Sequence, residues 1–127
     1  MSATRSRLLA LAFVFATPAV FAAEKADVAN GKTIFDQRCG ICHATTKEGG
    51  PILGPSVAGL MGRKAATEPN FAMYTPQLKA YGVKWSAKTL DEFLINPMTK
   101  VPGTTMPMVL PDDKERGDVI AFLATLK

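Results

Sequence analysis

The side chains best suited to chemistry are concentrated in one pentapeptide, Cys39-Gly40-Ile41-Cys42-His43. Two cysteines three positions apart, followed at once by histidine, form the attachment signature of a covalently bound c-type haem. Each thiol can form a thioether with a porphyrin vinyl group, and the adjacent imidazole can then ligate the iron. Residues three and four apart on a helical turn share a face, so both sulfurs and the ring can reach one ligand together. Cys39 and Cys42 are the only cysteines of the 127 residues, and His43 is the only histidine.

Three other chemistries use a CxxC pair. A thioredoxin-like dithiol opens a helix after a buried strand, but the segment before Cys39 has a helical pattern and no run of β-branched residues. A zinc site needs four protein ligands, and no second Cys or His pair completes one. A structural disulfide across two intervening residues closes a loop too small to constrain much of the unfolded chain. The pentapeptide therefore reads as a haem site.

The elements that must carry it follow from caps and apolar spacing. Asp27 caps a first helix in which Val28, Gly31, Ile34 and Phe35 recur at helical spacing, with Arg38 leading into the haem motif. A glycine inside a helix costs about 1 kcal/mol relative to alanine, so Gly31 implies a second helix crossing closely over it. Beyond His43 the pattern dissolves into Gly49, Gly50, Pro51, Gly54 and Pro55, with Gly59 and Gly62 bracketing Leu60-Met61. A segment this irregular implies wrapping around a large rigid ligand. Thr75-Pro76 opens a short helix ending at Gly82. Ser86 opens another, with Leu90, Phe93 and Leu94 on one face, and Pro97 stops it. Residues 97–111 hold four prolines and no periodicity, and so long an ordered loop is usually functional. The last helix begins near Asp112, with Glu115 at capping-box spacing and a stripe of Val119, Phe122, Leu123 and Leu126. Asp112, Asp113, Glu115 and Asp118 read as its solvated start. The fold class is all-α, in one domain.

Residues 1–22 read as a secretory leader. Arg5 and Arg7 precede the uncharged stretch Leu8 to Ala23, and Val20 and Ala22 are placed for cleavage after Ala22. Pro18 and the short length argue against an uncleaved anchor. The domain is then 23–127, and the basic count falls from 15 to 13 against 11 acids, so the net charge falls from +4 to +2. No basic cluster interleaved with aromatics points to nucleic acid.

With the haem motif and the Pro-rich loop in view, residues 27–127 resemble class I cytochrome c, closest to the mitochondrial and bacterial c2-like type. The resemblance implies an N-terminal helix crossing the C-terminal one, Gly31 and Phe35 meeting Val119 and Phe122. It implies one haem c attached through Cys39 and Cys42, with His43 as axial ligand and the Pro55 carbonyl accepting from its imidazole. Arg63, Tyr74, Thr75, Trp85 and Thr104 match residues near the haem propionates. The stretch Pro102-Gly103-Thr104-Thr105-Met106 matches the loop supplying the axial methionine. From the residues alone, a methionine or lysine must complete the iron, and Met106 and Met108 are not separated by geometry. The family spacing selects Met106, while Met61 and Met73 read as core filling.

The resemblance also has departures. Phe93 stands where many relatives have a tyrosine, and Leu78 where they have an asparagine. Lysines that ring the haem edge in mitochondrial relatives are replaced by Met98, Thr99, Thr105, Asp112 and Asp113, while Arg38 keeps its charge. The function implied is a soluble, exported, monomeric electron carrier and not an enzyme, located in the periplasm without membrane insertion. Its partners would be redox proteins such as a membrane oxidoreductase, a terminal oxidase or a periplasmic dehydrogenase. The alternatives are a dedicated electron-transfer subunit of such a dehydrogenase, and a small-molecule-binding haem protein with a labile methionine. Export also fits thioether attachment, which the family implies takes place outside the bacterial cytoplasm.

Overall fold

The computed structural model describes residues 25–50 and 52–127. The leader and its cleavage after Ala22 lie outside the described residues, as does Pro51. The described chain is all-α, with helices α1 (Val28–Arg38), α2 (Pro76–Tyr81), α3 (Ala87–Ile95), α4 (Pro97–Lys100) and α5 (Asp113–Leu123). Extended pairing among the described residues is limited to one antiparallel bridge, Lys64 opposite Lys84.

Each helix starts where a short polar side chain can satisfy orphan amides. Asp27 accepts from the N–H groups of Ala29 and Asn30, and Thr75 from that of Leu78. Ser86 and Thr89 form a reciprocal capping box on α3. On α5 only half of the expected box forms. Asp112 accepts from the Glu115 N–H, but the Glu115 carboxylate reaches across to Arg38 at 2.9 Å. Gly82 ends α2 at φ 61°, a conformation glycine adopts without a Cβ penalty.

The expectation of an irregular 97–111 segment needs correction at its start. Asn96, extended at φ −161°, ends α3 and caps α4 by accepting from the Thr99 N–H. Pro97 thus opens a helical turn, because its fixed φ and missing N–H suit the first position.

Helices α1 and α5 cross as the glycine implies. A Cβ built on Gly31 would run into the backbone carbonyl of Asp118, so only hydrogen fits there. Phe35 and Phe122 meet in the seam with ring centroids 5.4 Å apart. Asp118, read from sequence as solvated, is fully buried at the crossing. It accepts from the Asp27 N–H at 2.7 Å, from Asn30 Nδ2 at 2.8 Å and from Lys114 Nζ at 2.8 Å. Those donors hold its carboxyl at a pKa of about 2, the Lys114 bond contributing most. A carboxylate so satisfied ties the start of α1 to α5 where an unpaired one would be costly.

Arg116, also buried, fixes the far end of the long loop. Its Nε donates to Asp91 on α3 at 2.7 Å, and Nη1 donates to the carbonyls of Leu110 and Pro111. Leu110, with no exposed surface, donates its N–H to the Leu94 carbonyl at 2.8 Å. The segment between α4 and Leu110 is therefore anchored at both ends.

Candidate functional site

The helices and loops enclose a cavity of about 410 Å³, within the range of small-molecule and cofactor sites. Its wall is mainly apolar, including Phe35, Val57, Leu60, Leu90, Phe93 and Leu94. All ten residues singled out by sequence border it: Cys39, Cys42, His43, Pro55, Arg63, Tyr74, Thr75, Trp85, Thr104 and Met106. Met108 borders it too, as do Leu78 and Phe93.

The three residues of the motif sit on the turn that ends α1. Cys39 is its C-cap, and the N–H groups of Cys42 and His43 both return to the Cys39 carbonyl, at 3.0 and 2.9 Å. Burial pushes the Cys39 thiol up to about 11, partly offset by the charge of Arg38. A thiol in that state is a poor nucleophile at neutral pH, the opposite of a redox dithiol.

His43 Nδ1 lies 2.7 Å from the Pro55 carbonyl oxygen. A carbonyl only accepts, so Nδ1 carries the proton and Nε2 keeps its lone pair. Burial also lowers the imidazole pKa against the opposing effect of the Pro55 bond, keeping the ring neutral as ligation requires. The Gly54 N–H donates to the Cys42 carbonyl at 2.9 Å, and a Cβ on Gly54 would meet His43 Cε1 at 2.5 Å. The loop therefore packs against the imidazole so closely that position 54 admits no side chain without a shift.

A second group of polar residues gathers elsewhere on the wall. Arg63 Nη1 donates to Glu68 at 2.6 Å and to the Ala58 carbonyl, and Nη2 to the Ser56 carbonyl at 2.7 Å. A guanidinium has five N–H donors, so Nε and one Nη2 proton remain uncommitted by these three bonds. The Tyr74 hydroxyl accepts from the Glu68 N–H at 3.1 Å and retains its own proton. Trp85 pairs with this segment through Trp85 N–H to Arg63 carbonyl and Gly62 N–H to Trp85 carbonyl, at 2.9 and 2.7 Å. Gly103, at φ 98°, lies against Gln77 of α2, bringing Thr104 near the helix that Thr75 caps. The result is a patch of unspent donors bordering an apolar cavity, suited to anionic groups on an otherwise apolar ligand.

Sequence reasoning missed Glu68, a buried residue whose carboxylate accepts from Arg63 and whose backbone N–H donates to Tyr74. Its position in a loop, five residues from Arg63, follows no periodic rule that would have flagged it. Met73, expected to fill the core, is instead 67% exposed, and it and the exposed Leu53 both border the cavity. Met61 does pack against the core. Of the two methionines flanking Pro107, Met106 packs against the core cluster as well as bordering the cavity.

The residues present fit a tethered haem. The cavity has cofactor size, two thiols and a neutral imidazole line it, and thioether sulfurs border it from a separate segment. Residues 28–127 match the family described as Cytochrome c. The chain is 44% identical to a cytochrome c of Tetrahymena pyriformis over 101 residues, covering 79% of this chain and 89% of that protein. It is 40% identical to a cytochrome c of Gibberella zeae, over 76% of this chain and 92% of that one. A cytochrome c2 of Rhodomicrobium vannielii is 38% identical over 126 residues, 98% of this chain and 97% of that one.

Proposed function

The chain belongs to the cytochrome c family, and from that premise we propose an exported, periplasmic monohaem carrier that accepts one electron from a redox protein and delivers it to another. Members of this family carry haem c covalently through cysteines, here Cys39 and Cys42, and act as electron carriers. When bound, the haem supplies the one-electron Fe(III)/Fe(II) couple.

The remaining work belongs to the protein. Cys39 and Cys42 would tether the ring. His43, oriented by the Pro55 carbonyl and backed by Gly54, would offer Nε2 to the iron, and Met106 would offer its thioether. Two protein ligands would leave the iron no open position for a substrate. The apolar wall excludes water and, with the soft thioether, favours the ferrous state. Phe93 and Leu78 put no hydroxyl or amide on that wall, so polar contacts beside the ligands are fewer than in relatives with tyrosine and asparagine there.

The observation that carries this reading is the cavity itself, bordered at once by both thiols, the Nδ1-protonated imidazole and the Met106 thioether. Export is supported by the leader pattern in residues 1–22 and by the likeness to a bacterial cytochrome c2 along nearly the whole chain. Among the described residues no helix is long and apolar enough to cross a membrane. The test is the intact mass of protein purified from the periplasm of an expressing bacterium. A chain beginning at Ala23 with one haem added is expected, and a haem-bearing chain that still contains Met1 would overturn the export reading.

A further inference from the structure

Resting on that carrier reading, we propose that Glu68 is a positioning residue for the anionic end of the cofactor. From behind the cavity wall it aims the Arg63 guanidinium and offsets its charge, holding the reduction potential below the value Arg63 alone would set. Arg63 borders the cavity, whereas Glu68 lies outside its border, so Glu68 acts through Arg63. The pair sits differently from the other ion pairs of the described residues. Lys32–Asp36, Arg38–Glu115 and Lys100–Glu92 leave every partner more than a third exposed, and such pairs are screened and contribute little. Asp118 and Arg116 each pair with groups open to solvent. In Arg63–Glu68 both side chains are withdrawn from water, at 18% and 9% exposure, with Nη1 2.6 Å from the carboxylate. Burying two charges incurs a desolvation penalty that their attraction at best repays, so stability alone does not account for this pair. Its place against a cofactor cavity points to control of charge.

The local backbone brings the two side chains together. Ala66 sits at φ 61°, a left-handed conformation that a residue with a Cβ keeps only where its surroundings impose it. That turn, with Thr67 Oγ1 donating to the Lys64 carbonyl at 2.6 Å, folds residue 68 back onto residue 63. The Glu68 N–H donates to the Tyr74 hydroxyl at 3.1 Å, and the Glu68 carbonyl accepts from the Phe71 N–H at 3.2 Å. Burial raises the Tyr74 pKa, so that hydroxyl stays neutral and adds no charge of its own. Of the guanidinium protons, Glu68 and the Ala58 carbonyl take those of Nη1, and the Ser56 carbonyl takes one of Nη2. Nε–H and the last Nη2 proton are left for an anion in the cavity.

Charge decides the sign. A carboxylate bonded to the far side of the guanidinium cancels much of the field that Arg63 presents to the cavity. A less positive surrounding disfavours an added electron, so Glu68 lowers the potential. At an effective dielectric constant near 20, a unit charge ~12 Å away shifts a one-electron equilibrium by about tenfold. With both side chains shielded from water, salt screens this effect less than it screens an exposed pair.

The test is a redox titration of the holoprotein at neutral pH. Glu68→Gln keeps an acceptor for Arg63 but removes the charge. At a fixed electrode potential its ferrous-to-ferric ratio is expected to rise about three- to tenfold, a tenfold change being about 59 mV for one electron. The control Glu92→Gln changes the net charge equally, at the exposed pair with Lys100, and should move the ratio by less than about twofold. In an Arg63→Gln background the same Glu68→Gln change should also stay under about twofold, because a buried carboxylate without its cation is driven neutral. An unchanged or lowered ratio in Glu68→Gln overturns the proposal, whatever happens to the unfolding midpoint, and leaves Glu68 a loop staple. So do equal rises in Glu68→Gln and Glu92→Gln, or a full rise without Arg63. Nitrogen-15 spectra of the ferrous protein read the aiming separately. The two Arg63 Nη resonances should be distinct in wild type and Glu68→Gln, and merged by free rotation in Glu68→Ala; distinct resonances in Glu68→Ala contradict the positioning. A wild type with no one-electron wave would sink the carrier reading and with it the claim on potential, while resonances that merge only in Glu68→Ala would still support the positioning.

Discussion

The crossing of α1 with α5 and the segment from His43 to Tyr74 line the same cavity but are held together in different ways. At the crossing, protein meets protein: Gly31 lies flush on the Asp118 carbonyl, Phe35 meets Phe122, and the Asp118 carboxylate is bonded to α1 from below. The loop adds Val57, Leu60 and Ala65 to the buried core but forms no helix among its described residues. It is held by the Gly54 and Val57 amides on the carbonyls of Cys42 and Ala44, by Ser56 on Ala44 and Thr46, and by the Arg63 guanidinium. Its inward side chains face the cavity. One region is therefore packed protein against protein, while the other turns several of its side chains to the cavity wall.

The sharpest way to break this contrast is to withhold the haem. In a Cys39→Ala, Cys42→Ala chain, amide exchange across 44–74 should approach the near-zero opening free energy of unconstrained loops, with slower exchange surviving in α1 and α5. Uniform loss of protection in both regions would show that the crossing also depends on the haem.

A smaller effect isolates the crossing. Gly31→Val in the holoprotein would force α1 away from the Asp118 backbone, at a cost near or above the top of the roughly 1–3 kcal/mol typical of overpacking. Denaturant unfolding reads it directly. An unchanged midpoint would mean that the helices do not meet at this residue.

The smallest effect is electrostatic. Asp118 has a folded pKa of about 2, below its ordinary 3.8, so it stabilises the fold fully above that ordinary value. The contribution, on the order of 2 kcal/mol, is lost as pH falls from about 4 through 2. Asp118→Asn should remove that share of the acid slope in stability measurements on the holoprotein. An unaltered slope would assign acid sensitivity to other carboxylates.

The same contrast explains what was legible in sequence. Caps, the glycine at the crossing and the cysteine–histidine spacing are local or periodic, and each reads directly: Asp27, Thr75, Ser86, Gly31 and Cys39 through His43 sit in the structure as their spacing implies. Long-range pairings were not legible. Arg38 meets Glu115 across 77 positions and Asn30 meets Asp118 across 88, so charge counting hid the buried carboxylate. Helix α4 escaped because Asn96 both ends one helix and starts the next, and a proline after it reads equally as stop or start. The border of the cavity was legible through family likeness, since no periodic rule links Arg63, Tyr74, Trp85 and Thr104.

The choice of methionine decides the iron's second ligand, because Met106 and Met108 flank one proline and border one cavity. The direct measurement is the weak red-edge absorption band of ferric holoprotein, which in this family marks iron bonded to methionine, recorded for Met106→Ala and for Met108→Ala. With Met106 as the ligand, the band and a high reduction potential vanish in the first variant and persist in the second. Loss in the second with survival in the first would move the ligand two residues along, and survival in both would contradict methionine ligation by this loop.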